Sequence, residues 1–248
     1  MTKTRTLISA LASLAAAALL FGCGQKDPDL PNIQTGQIIG GGTVQIAGVK
    51  PVGGFLPYPS LLQAGGNGRP DLYYLNPTFS GPAYKSVILD PVTIWTGLNS
   101  QLNSAPAQQR QALADQFHAT LAQALGQKCQ LVTEPRPGTM RIRIALVDAV
   151  STDATINTVA TYMPYVSAVN AAAAVGLNNG VGYFAGSATA EGYILDATTG
   201  ALLWEGVDKR GGTTSAVENT LNTWLDVQHS FQAWSNMFVQ RLTELKAC

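Results

Sequence analysis

Apolar and polar positions repeat with two different periods along this chain, and the periods separate its strands from its helices. Residues 139–150 (TMRIRIALVDAV) alternate around Ile142, Ile144 and Leu146, which predicts a half-buried strand. Leu113, Phe117, Leu121 and Leu125 instead recur every four residues, one face of an amphipathic helix, with Ser104 and Pro106 as its expected start and Gly126 as its stop. A second helix is predicted near the C-terminus. There Trp224, Val227, Phe231, Trp234, Phe238, Leu242 and Leu245 follow at steps of three and four, and Ser215 and Glu218 fit a capping box ahead of them.

Residues 84–95 (YKSVILDPVTIW) read as a buried strand broken at Asp90-Pro91, because proline cannot donate to a ladder. Residues 188–210 read as a hairpin turning at Asp196–Gly200, with Tyr193 expected opposite Trp204. The order is strand, helix, strand, small-residue segment, hairpin, helix. It predicts an α/β (α+β) fold: a single domain whose three- to five-stranded mixed sheet has helices packed on it, a two-layer sandwich.

The first residues have a different character. Lys3 and Arg5 precede an apolar run from Leu7 to Phe21, followed by Gly22-Cys23-Gly24, the pattern of a secretory signal peptide. The run is too short and too Ala-rich to read as a spanning helix. "LLFGC" resembles the bacterial lipobox, which implies loss of residues 1–22 and acylation of Cys23. Gly24 stands where an Asp would favour inner-membrane retention. By resemblance to Gram-negative lipoproteins, that implies anchorage at the periplasmic face of the outer membrane. Residues 23–52, with Pro28, Pro31 and Gly40–Gly42, are expected to be a flexible tether, and residues 53–248 the folded domain.

Charge narrows the partners. The chain has 15 basic and 15 acidic residues, and loss of Lys3 and Arg5 leaves 13 against 15, a net charge of −2. That balance makes no electrostatic case for nucleic acid. Cys129 and Cys248 remain once Cys23 is acylated, and in an oxidising compartment a disulfide between them is expected.

Candidate chemistry is sparse. His118 and His229 sit on the two predicted helices without the further ligands a zinc site needs, so neither a metal nor a cofactor is expected. Gly180–Gly186 lacks the spacing of a dinucleotide loop, and no GxSxG, HExxH or phosphate loop occurs. Of the carboxylates Asp90, Asp148, Glu191, Asp196 and Asp208, Asp196 reads as a turn former and Asp90 as a strand-ending Asp-Pro. Glu191 enters a strand directly after a long uncharged run. If buried it needs a partner, and an ion pair with Lys209 or Arg210 is expected in preference to a general base. Enzyme activity is not expected.

Nothing between Asp153 and Glu191 is acidic or basic. A self-buried layer, a subunit interface and a membrane-contacting hairpin each explain such a run, and its small side chains favour the first. Tyr162, Tyr165, Tyr183, Phe184 and Glu191 are the candidate ligand or interface residues around it.

"GGFLPYPSLL", "YKSVILDPVTIW" and "AEGYILDATTGALLWEGVDKR" together resemble the Gram-negative lipoproteins of domain of unknown function 3313, from about Gly53 to the C-terminus. The resemblance implies an outer-membrane lipoprotein of unassigned activity and supplies no catalytic residues. The function expected on these grounds is a non-enzymatic envelope binding or assembly module with a protein partner or self-association. The alternative is a periplasmic small-molecule or lipid carrier.

Overall fold

The structure is a computed structural model that describes residues 42–66, 68–152, 185–213 and 223–248, all within a compact unit spanning Gln34–Cys248. Cys23, Tyr162, Tyr165, Tyr183, Phe184 and the Ser215–Glu218 capping box lie outside the described residues, as does most of the uncharged run. The end of that run, Ser187–Ala190, is buried in a strand.

Two expected strands and the hairpin form the centre of one sheet. They are β4 (Ser86–Leu89), β7 (Thr139–Val150), β8 (Ser187–Asp196) and β9 (Leu202–Gly212). Five short strands extend it: β1 (Thr43–Gln45), β2 (Gln63–Ala64), β3 (Leu72–Leu75), β5 (Thr93–Ile94) and β6 (Gln130–Leu131). Among the described residues the sheet therefore has nine strands, in the order β2-β3-β9-β8-β7-β4-β6, with β1 against β9 and β5 against β7. The expected three to five is corrected, because a strand of two to four residues barely shows a period in sequence. β4 and β5 run parallel to β7, and β7, β8 and β9 form an antiparallel meander.

Among the described residues two α-helices lie on one face, α1 (Ala107–Gly126) and α2 (Leu225–Glu244). Their apolar stripes meet, with Phe117 stacked on Phe231 at 4.5 Å and Trp234 tilted against both. Ser104 does not cap α1. Its hydroxyl donates to the Gln101 carbonyl within a preceding 3-10 turn, and Pro106 takes the cap position.

The opposite face is covered by an irregular strap, residues 49–62. Leu56 of this strap closes a second, smaller core with Tyr193 and Val207. Part of the stretch expected to be a tether, residues 43–46, joins the sheet: β1 pairs with β9, and the Ile46 N–H donates to the Lys209 carbonyl at 2.8 Å. Backbone pairing needs no apolar side chain, so the composition of this stretch hid it.

The hairpin turns where expected. The Asp196 carboxylate accepts from the Thr198 and Thr199 N–H groups at 2.9 and 2.8 Å and from the Tyr84 hydroxyl at 2.9 Å. Partial burial opposes ionisation of Asp196, but these bonds and that from the Thr198 hydroxyl outweigh it and hold the carboxyl well below its usual range. Asp196→Ala is expected to cost about 1–2 kcal/mol, read as a lower urea midpoint at unchanged slope. The register differs from expectation by one residue. Ile194 faces Trp204, Tyr193 faces Glu205, and an irregularity follows at Leu195, which faces Leu202. Leu203 is the extra residue of this bulge, so Leu203 and the neighbouring Trp204 both pack on the helix side.

The C-terminus is fastened by a disulfide. Cys129, just after α1, is bonded to Cys248, with Cα atoms 4.9 Å apart and a sequence separation of 119.

Candidate functional site

The alternation of β8 and β9 sends two acids to the strap side. Glu191 faces Val207 and Glu205 faces Tyr193, so the two are diagonal neighbours on one face. Both are fully buried, with 1% and 0% of their surface exposed. The expected ion pair of Glu191 with Lys209 or Arg210 is not present. Arg210 lies 3.6 Å from Asp208, and Lys209 faces Thr189 two pairs further along. Instead, a Glu191 oxygen accepts from the Val52 N–H of the strap, and a Glu205 oxygen accepts from the Tyr58 N–H at 3.2 Å. The second oxygen of each carboxylate has no hydrogen-bond partner among the described residues. Burial pushes the Glu191 carboxyl up to about 7; the Val52 N–H opposes the shift and the charge of Glu205 adds to it. Burial raises Glu205 in the same direction against the Tyr58 N–H. Through these two bonds the carboxyls fasten the strap to the sheet.

The other candidate carboxylates are engaged within the fold. Asp90 pairs with Arg141 and Arg143 at 3.0 and 3.2 Å, and Asp148 accepts from the Ser100 hydroxyl and the Gln101 N–H. Asp208, on the helix side, accepts from Gln45, the Asp71 N–H and the Trp234 indole. Asp226, at the start of α2, accepts from Gly186 N–H and the Thr152 hydroxyl, tying together the chain on either side of residues 153–184. His118 and His229 lie half-buried on α1 and α2. Among the described residues there is no group of three or more His, Cys, Asp or Glu able to hold a metal ion.

The feature best suited to a ligand lies on the helix side. A helix about 10 Å across covers roughly two strands spaced about 4.8 Å, so α1 and α2 cannot shield every strand of this sheet. The inward side of β3 is left beside α2. Tyr73 and Leu75 alternate onto that side, and Met237, Phe238, Arg241, Leu242 and Leu245 face them at helical spacing. Between them runs an apolar groove of about 120 Å³, floored by Phe79, Ile194, Leu203 and Trp204. Arg69, Arg241 and Glu244 also line it. Trp204 and Phe238, packed edge to face at 5.8 Å, border a further inner cavity of about 50 Å³. None of these residues was a sequence candidate. The pattern showed their apolar character, but only the strand order makes them neighbours.

Residues 53–238 match the family model described as protein of unknown function (DUF3313). No curated protein matches significantly. Among solved structures, a PelC dodecamer from Paraburkholderia phytofirmans is 10% identical, covering 71% of this chain and 96% of that one at a TM-score of 0.36. A DUF4136 family protein from Bacteroides thetaiotaomicron is 12% identical over 71% and 95%, with a TM-score of 0.33. The hypothetical protein CT253 from Chlamydia trachomatis is 11% identical over 66% and 94%, with a TM-score of 0.32. At such scores these likenesses carry no functional argument.

Proposed function

We propose a binding role, not a catalytic one, for this chain, which belongs to the family described as protein of unknown function (DUF3313). It is a non-enzymatic module of the bacterial envelope, held at the periplasmic face of the outer membrane through acylated Cys23. The observation that carries the binding reading is the groove between α2 and β3: an apolar recess with charged groups among its lining, in a fold whose other buried acids are spent on structure. Such a recess supports the carrier form of the module, in which a small apolar group is taken up beside Trp204 and Phe238.

Two measurements test this. Palmitate incorporation is expected in the full chain and absent in Cys23→Ala; equal labelling of both refutes the anchor. Native mass spectrometry of protein purified from its host is expected to show a bound small molecule that Leu203→Trp, which fills the groove, removes. A clean unliganded mass in every preparation overturns the carrier form.

A second form, an assembly module with a protein partner, is favoured by the strap side. Tyr58, Leu61, Trp95 and Leu98 are exposed there, Leu98 completely. Trp95 lies against Phe55 and donates its indole N–H to the Gly53 carbonyl.

A further inference from the structure

Resting on the reading of the α2–β3 groove as a binding site, we propose that its ligand is an alkyl or aryl carboxylate, with a short apolar tail and one anionic head. The apolar part of the lining sets the tail. Ile194, Leu203, Met237 and Phe238 offer no hydrogen-bonding side chain, and the recess measures about 120 Å³. A cavity of about 150 Å³ lined by similar residues takes up benzene, so this one suits a ring or a chain of a few methylenes.

The arginines set the head. The Nε and Nη2 atoms of Arg241 donate to the Gly68 carbonyl at 2.9 and 2.5 Å, which holds its guanidinium one residue from Arg69. Arg69 in turn lies over the Tyr73 ring at 4.8 Å and donates to the Tyr73 hydroxyl. Both arginines line the groove, each held by a contact of its own before any ligand arrives, and Glu244 pairs with Arg241. Gly68 makes the approach feasible: its φ is +72°, and a Cβ there would lie 2.7 Å from Arg241 Nη2. A planar carboxylate matches the fork of a guanidinium, and positioned cations bind it without further ordering cost. A cationic head on the same tail meets repulsion.

The test compares hexanoate, 1-hexanol and hexylammonium on the mature chain carrying Cys23→Ser, followed by the methyl resonance of Met237. Hexanoate is expected to bind about tenfold tighter than hexanol, and hexylammonium weakest of the three. Arg69→Gln is expected to bring hexanoate close to hexanol while leaving hexanol unchanged. The wild-type chain gives an independent reading. Raising salt from about 50 to about 500 mM should weaken hexanoate several-fold and leave hexanol almost unaffected. Equal binding of hexanoate and hexanol overturns the carboxylate assignment and leaves the groove as a neutral apolar site. Binding of neither overturns the groove reading as well.

Discussion

Replacing both Cys129 and Cys248 by alanine is expected to cost about 4–5 kcal/mol of stability. The bridge joins residues with a sequence separation of 119, and closing a loop of that length removes roughly 5 kcal/mol of unfolded-chain entropy on the loop-closure model. The native side of the comparison changes little. Cys129 is buried beside Leu125 in the main core, where an alanine leaves only a small void. The tail around Cys248 keeps other fastenings, its N–H donating to the Tyr84 carbonyl at 2.8 Å and Ala247 N–H to the Leu242 carbonyl at 2.9 Å. A loss of this size lowers the urea midpoint by roughly 2 M at a slope of about 2 kcal/mol/M. Reduction of the wild-type protein should reproduce the shift, and alkylation should trap it. A midpoint change equivalent to less than about 1 kcal/mol would show that the bridge constrains little that the fold does not already constrain.

The same fastening shows which parts of the fold were legible in sequence. Both helices could be read because each buries a single stripe: Leu113, Phe117, Leu121 and Leu125 on α1, and Val227, Phe231 and Trp234 on α2. β7 could be read because Arg141 and Arg143 are exposed between buried Met140, Ile142 and Ile144. β1, β2 and β6 could not, since two or three residues do not establish a period. The buried acids were half legible. Glu191 was noticed for its place after an uncharged run, but Glu205 was missed because the expected register set Trp204, not Glu205, opposite Tyr193. One residue of slip moves every side chain of a strand to the other face, and the bulge at Leu203 supplies that residue. The groove was beyond reach for another reason. Arg241 and the Gly68 it grips are 173 residues apart, and no local pattern joins them.

Glu191 and Glu205 together make stability depend on pH in the direction opposite to an ordinary acid-denatured protein. A carboxyl with an ordinary value of 4.5 that burial raises to about 7 holds its proton longer in the folded state than in the unfolded one. Between these values the folded chain binds more protons, so stability falls as pH rises; it is fullest below about 4.5 and lost through about 7. A shift of this size corresponds to roughly 3 kcal/mol between pH 5 and pH 8. Glu205 and Asp208, both raised by burial, act with the same sign. Asp196, held low, acts with the opposite sign, but its contribution is lost only in acid below the ordinary carboxylate range. Among the described residues no cation pairs with Glu191: Arg143 on β7 is paired with Asp90 and lies over Tyr193, and Lys209 on β9 faces Thr189. Glu191→Gln keeps an acceptor for the Val52 N–H without the buried charge. It is therefore expected to be more stable than the wild type at pH 8 by about 2–3 kcal/mol and to flatten most of the pH dependence. Urea unfolding at pH 5, 6.5 and 8 measures it. Because the strap hangs on these two carboxylates, amide exchange at Val52 and Tyr58 should quicken with pH in the wild type beyond the intrinsic rise, and not in the Gln variant. Wild-type stability that rises from pH 5 to pH 8, or a Gln variant with the same slope, would assign the pH response to groups other than this pair.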